Sequence, residues 1–121
     1  PSICSMDAIA FIEKLCMAMP HAQQTIKFET HIAYTVSNKI FCIMGGEGGF
    51  SLSCKCSPDT FDELTSNDAV TQAPYFARRQ WILVTDIHAF TTSEWHQLLH
   101  NSYQLVVSKL TKKEKQILGI G

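Results

Sequence analysis

The run HIAYTVSNKIFCIMGGEGGFSLSCKC, residues 31–56, leaves this chain little freedom of fold. HIAYTVS alternates Ile32, Tyr34 and Val36 with His31, Ala33 and Thr35, the two-residue period of a strand with one buried face. Ser37 and Asn38 follow, and Asn tolerates the left-handed backbone that a tight hairpin needs. KIFCIMG is almost continuously apolar, as an interior strand is, and FSLSCKC is a third strand beyond the turn GGEGG at 45–49. Connections this short join antiparallel neighbours. The centre of the molecule is therefore an antiparallel meander that the rest of the chain must cover.

Helices supply the cover. SMDAIAFIEKLCMAMP sets Ile9, Ile12, Leu15, Cys16 and Met19 at helical spacing, with Ser5 as a cap and Pro20 as a stop. Ser57 and Pro58 open a short helix that turns Phe61 and Leu64 inward. Residues 68–77 read as loop and QWILVT as a further strand. Thr91 with Glu94 forms a capping box for a long helix that aligns Trp95, Leu98, Leu99, Tyr103, Val106 and Val107. A second capping box, Thr111 with Glu114, starts a last helix, KKEKQIL. The expected class is α+β: a single compact domain over 1–121, core about 6–118, with an antiparallel sheet, helices packed on one face and the order α-βββ-α-β-α-α. With 121 residues and 45% apolar content, a core forms without metal or disulfide staples.

SLSCKC also raises a question of chemistry. Strand alternation puts Phe50, Leu52, Cys54 and Cys56 on one face and Ser51, Ser53 and Lys55 on the other. Sharing a face with Phe and Leu makes the two cysteines small core hydrophobes. A structural zinc site needs two more Cys or His at ligand spacing, and the available pair is His96/His100 in HQLLH, on a helix whose apolar face packs elsewhere. HQLLH carries Gln97 where a zinc protease has its glutamate base, so it reads as an exposed flank. GGEGG precedes a strand, so it is a hairpin turn and not a phosphate loop. The thiols fall on apolar faces, where thiolate is disfavoured, and Asp62/Glu63 lie on an exposed helix surface. No metal, cofactor or catalytic constellation is expected, and the chain reads as non-enzymatic. Five cysteines, and an opening PSICS without a basic, apolar leader, point to a reduced cytoplasmic protein; no apolar run reaches membrane-spanning length.

The charge is uneven. Residues 1–68 hold 4 Lys/Arg against 8 Asp/Glu, a net −4, and residues 69–121 hold 6 against 3, a net +3, which sums to −1. In YFARRQW, residues 75–81, Arg78 and Arg79 stand between aromatics where a loop enters a strand. A guanidinium is a multidentate donor to phosphate or carboxylate and stacks on rings; the competing reading makes both arginines solvated loop ends and Trp81 core.

These motifs, in this order, resemble the MmcQ/YjbR family of small bacterial proteins over residues 6–118. The helix ending in "MP" resembles the family's "LPG" end, and SNKIFCIMG its "G-G-K-x-F-A" hairpin, with Lys39 and Phe41 in place. SLSCKCSPD resembles "L-K-C-D-P" through Lys55, Cys56 and Pro58. APYFARRQW resembles "P-A-Y-H-x-N-K-x-H-W" through Pro74, Arg78 or Arg79, and Trp81. LLHNSYQLVVSKLTKK resembles "I-x-x-S-Y-x-L-V-x-x-K-L-P-K-K" through Ser102, Tyr103, Val106, Lys109 and Leu110. The family's "F-P-F-G" is IKFET here, and its loop His and Asn before Trp81 are missing. The resemblance implies a fold similar to CyaY/frataxin-like and secretion-chaperone-like domains, and the family's usual label is predicted DNA-binding protein. The first expectation is thus a binding domain for DNA with weak sequence selectivity, contacted by Lys55, Arg78, Arg79, Trp81, Lys109, Lys112 and Lys113. The alternative is a protein-interaction or small-ligand module that uses the open sheet face.

Overall fold

The computed structural model describes residues 5–27, 31–45, 50–74 and 76–119. The order is α1 (Ser5–Met17), β1 (Gln23–Lys27), β2 (His31–Val36), β3 (Lys39–Met44), β4 (Leu52–Lys55), α2 (Pro58–Thr65), β5 (Val70–Gln72), β6 (Trp81–Val84), a 3-10 turn at Ile87–Ala89, α3 (Thr92–Ser108) and α4 (Lys112–Leu118). The strands form one six-stranded sheet in the order β1-β2-β3-β4-β6-β5, antiparallel at every pairing. The α+β class and the meander are as expected, and two strands join the expected four. β1 is QQTIK and β5 is VTQ. Both occupy sheet edges, where half of each strand's backbone and much of its side-chain surface meets solvent, so neither needs the apolar pattern of an interior strand. The GGEGG turn beyond Gly45 and Tyr75 lie outside the described residues, as does the side chain of Ser5.

Local chemistry sets the boundaries. Ser37 and Asn38 take φ of 50° and 65°, the left-handed pair of a tight hairpin turn. Pro58 begins α2 behind Ser57, and both expected capping boxes form at Thr91/Glu94 and Thr111/Glu114. Tyr34, Cys42, Met44, Leu52, Cys54, Ile82 and Val84 turn to the helices and meet Ile12 and Cys16 of α1 and Trp95, Leu99 and Tyr103 of α3 in one core. Ser53, on the opposite face, is also buried, because its neighbours in the sheet centre are Ile43 and Leu83.

One irregularity ties the layers together. The β2–β3 register runs Tyr34↔Cys42 and then Thr35↔Ile40, which leaves Phe41 as an extra residue, a β-bulge. Phe41 and its neighbour Cys42 therefore both enter the core. The β3–β4 ladder stops at Cys42↔Cys54. At the next position the hydroxyl of Ser102, fully buried on α3, donates to the Phe41 carbonyl at 2.5 Å and accepts from the Lys55 N–H at 2.8 Å. Next to it, Tyr103 packs edge-on against the Phe41 ring at 5.5 Å, and its hydroxyl donates to the Pro20 carbonyl at 2.6 Å.

The Ser102→Ala variant leaves two backbone groups without their partner, and it should lose about 2–4 kcal/mol of unfolding free energy in urea titration. Ser108→Ala, at an exposed site on the same helix, should change stability by less than about 0.5 kcal/mol. Equal stabilities of the two variants would show that the bridge contributes nothing.

Candidate functional site

Helix α3 lies along β4. Trp95 meets Phe50 edge-on at 6.0 Å near the start of the strand, and Ser102 meets Lys55 at its end. Helix α2 starts at Ser57, beside that end, and runs back to where Asn67 donates its amide to the Ala89 carbonyl at 3.1 Å. The two helices are thus antiparallel, and a groove of about 610 Å3 opens between them. Cys56, Leu64, Phe90, Leu98 and Leu105 give it an apolar floor. Gln97, Asn101 and Gln104 line the α3 wall at positions i, i+4 and i+7, one stripe of the helix, and Glu63 and Glu94 add carboxylates.

Arg79 braces the α2 wall. Its φ of 64° is a left-handed conformation that costs a non-glycine residue about 1 kcal/mol and persists where the surroundings dictate it. Here the Arg79 N–H donates to Gln72 Oε1 at 2.8 Å, and the Gln72 amide in turn donates to the carbonyls of Ala73, Phe76 and Ala77. The guanidinium donates to both oxygens of Asp62, each at 3.0 Å, and lies 5.3 Å over the Phe61 ring. Those hydrogen bonds, and the charge behind them, hold the Asp62 carboxyl below the usual carboxylate range. Arg79 is therefore a strut between the β5–β6 loop and α2.

The other expected contact residues divide. Trp81 is buried and stacks on Phe76 at 4.3 Å, so its ring is not a surface platform. The register pairs Val36 with Lys39 and Lys55 with Trp81 at one end of the sheet. Arg78 and Arg79 precede Trp81 at that end, and α3 delivers Lys109 there as its C-cap. Ser37 donates to Glu114 at 3.2 Å, which sets the first turn of α4, with Lys112 and Lys113, beside the β2–β3 turn. Lys55, Arg78, Arg79, Lys109, Lys112 and Lys113 are thus gathered at one end, together with Asp62 and Glu114. His96 and His100 stack in parallel at 6.4 Å on the exposed side of α3, and no group of three His, Cys, Asp or Glu among the described residues could hold a metal. The groove has one signal in the sequence, the amides Gln97, Asn101 and Gln104 beside Leu98 and Leu105.

A model of the YjbR family matches residues 17–105. That span includes Pro20, Phe41, Lys55, Ser102 and Tyr103, which meet at the α3–sheet junction. Among solved structures, protein DR2400 of Deinococcus radiodurans, with domain DUF419, superposes at a TM-score of 0.84 with 22% identity, covering 99% of this chain and 94% of that one. A Pseudomonas syringae protein superposes at 0.66 with 18% identity, covering 80% of this chain and 96% of that one. At these identities the likeness is one of fold. No curated protein matches the chain.

The four described cysteines are free and buried. Burial pushes the Cys42 and Cys54 thiols well up, and it pushes Cys56, on the groove floor, from 9.0 to about 11. At pH 8 that rise cuts the Cys56 thiolate about a hundredfold. Iodoacetamide should therefore leave Cys42 and Cys54 unmodified in the native protein. It should label Cys56 slowly at pH 8 and faster as the pH approaches 11, followed by mass spectrometry. Rapid labelling of Cys54 at pH 8 would place it outside the core.

Proposed function

The chain belongs to the YjbR family, and we propose that it is a binding module, not a catalyst, whose ligand lies in the α2–α3 groove. The observation that carries this reading is the groove itself. Its 610 Å3 falls within the roughly 300–1,000 Å3 of small-ligand sites, and it combines an apolar floor with a few polar groups on the rim. Cys56, the thiol of its floor, is protonated at neutral pH, and no histidine lines the groove among the described residues, which favours binding over thiol chemistry. The free thiols suit the reducing cytoplasm. No helix among the described residues is long and apolar enough to cross a membrane.

A fragment screen by 1H–15N correlation spectra tests the groove. Hits should shift the amides of Cys56, Leu98 and Asn101, and Leu105→Trp, which fills the groove, should abolish them while the far-ultraviolet circular dichroism stays unchanged. Hits that shift none of these amides would sink the reading.

A second reading, DNA binding with weak sequence selectivity, draws support from the sheet end that collects Lys55, Arg78, Lys109, Lys112 and Lys113. With Arg79 held by Asp62 and Trp81 buried, the remaining cations would contact phosphates without reading bases. Fluorescence anisotropy at low salt should then show binding that weakens steeply with added salt, and that weakens in the Lys109, Lys112 and Lys113 triple alanine variant. No binding at tens of micromolar, about the range of nonspecific DNA binders, would exclude DNA.

A further inference from the structure

The lining of the groove narrows what can occupy it, on the reading above that it is the ligand seat. We infer that the occupant is an extended peptide segment of about six residues that carries a lysine or arginine side chain. The amide stripe gives the backbone chemistry. Gln97 Nε2 donates to Asn101 Oδ1 at 3.0 Å. That bond leaves Gln97 Oε1 as an acceptor and Asn101 Nδ2 as a donor, side by side on the rim. If both amides are turned over, the pair still presents one acceptor and one donor. A peptide backbone offers the matching C=O and N–H groups along its length.

The length of the groove fits an extended segment. The lining of α3 runs from Glu94 to Ser108, about 21 Å at 1.5 Å per residue. An extended segment spans the same length with about six residues and sends alternate side chains to one face, where Leu98 and Leu105 form the floor.

Charge selects the side chain. Glu63, in the second half of α2, and Glu94, in the first turn of α3, both lie toward the end closed by the Asn67–Ala89 hydrogen bond. One Glu94 oxygen accepts the Thr91 N–H at 2.9 Å as part of the capping box, and the other remains for a ligand. Lys55 lies past the middle of the groove, beside Ser102. A cationic side chain therefore meets two carboxylates at one end, and an acidic one meets repulsion there.

The test is a positional-scanning library of N-acetylated, C-amidated hexapeptides, titrated into the 15N-labelled chain. Pools fixed as Lys or Arg should shift the amides of Gln97, Asn101 and Leu105 and bind about tenfold more tightly than pools fixed as Asp or Glu. The Glu63→Gln/Glu94→Gln variant, in which glutamine keeps the capping oxygen, should lose that preference and still bind neutral pools. Equal affinity of basic and acidic pools overturns the inference. Groove shifts caused by small apolar fragments but by no peptide pool overturn it too, yet leave the groove as a binding site. Absence of groove shifts with either probe defeats both.

Discussion

One hydroxyl, that of Ser102, holds the sheet and its covering helix in register. A bulge at Phe41 breaks the β2–β3 pairing, and the β3–β4 ladder ends one position early. The Phe41 carbonyl and the Lys55 N–H would bond each other in a continuing ladder. Ser102 stands between them and satisfies both. A buried backbone group left unpaired costs about 1–3 kcal/mol, so the gap between the strands persists only because the helix supplies the missing partner. Tyr103 extends the junction to the segment after α1 through Pro20, so two successive residues join α3 to the sheet and to α1.

The groove follows from this junction. Past Lys55, β4 stays with β6, through the Cys56 N–H to the Gln80 carbonyl at 2.8 Å, and parts from β3. The chain then turns into α2, which is tied to the β5–β6 loop by the Arg79 strut and, just past its C-terminal end, to the Ala89 carbonyl by the Asn67 amide. Arg79 shows how tertiary context assigns a residue type. A guanidinium suited to phosphate is bound to Asp62 and Phe61, and its work is architectural. This exposed ion pair contributes little to stability by itself, but its bidentate geometry fixes direction.

The core is apolar at the expense of a few polar atoms. Cys42 and Cys54 face each other across β3 and β4, and Cys16 reaches them from α1. In so dry a setting the neutral thiol is favoured, and the cysteines behave as small hydrophobes. Tyr34 is the exception to full satisfaction: its hydroxyl is buried without a hydrogen-bond partner among the described residues, whereas that of Tyr103, at the core margin, reaches a carbonyl. The same side chain is costly or useful according to whether backbone comes within reach.

Local pattern carried much of the architecture. The two-residue period of HIAYTVS, the Ser37–Asn38 turn, Pro58 behind Ser57 and the two Thr–Glu capping boxes each depend on neighbours within four residues, so the meander and three of the helix starts were legible in the chain itself. The burial of Cys54 and Cys56 was legible for the same reason, through their alternation with Phe50 and Leu52. The edge strands QQTIK and VTQ were not, because an edge is defined by what fails to pair beside it. Nor were the roles of Ser102, Arg79 and Trp81. Ser102 meets Phe41 across 61 residues and Lys55 across 47, and Arg79 meets Asp62 across 17. What the sequence by itself determined was the meander, the strand led by Trp81 and the helices, since periodicity and capping are local. Only the tertiary structure decided where α3 docks, which arginine is consumed as a strut and that a groove lies between α2 and α3, since each is a matter of partners brought together from distant parts of the chain.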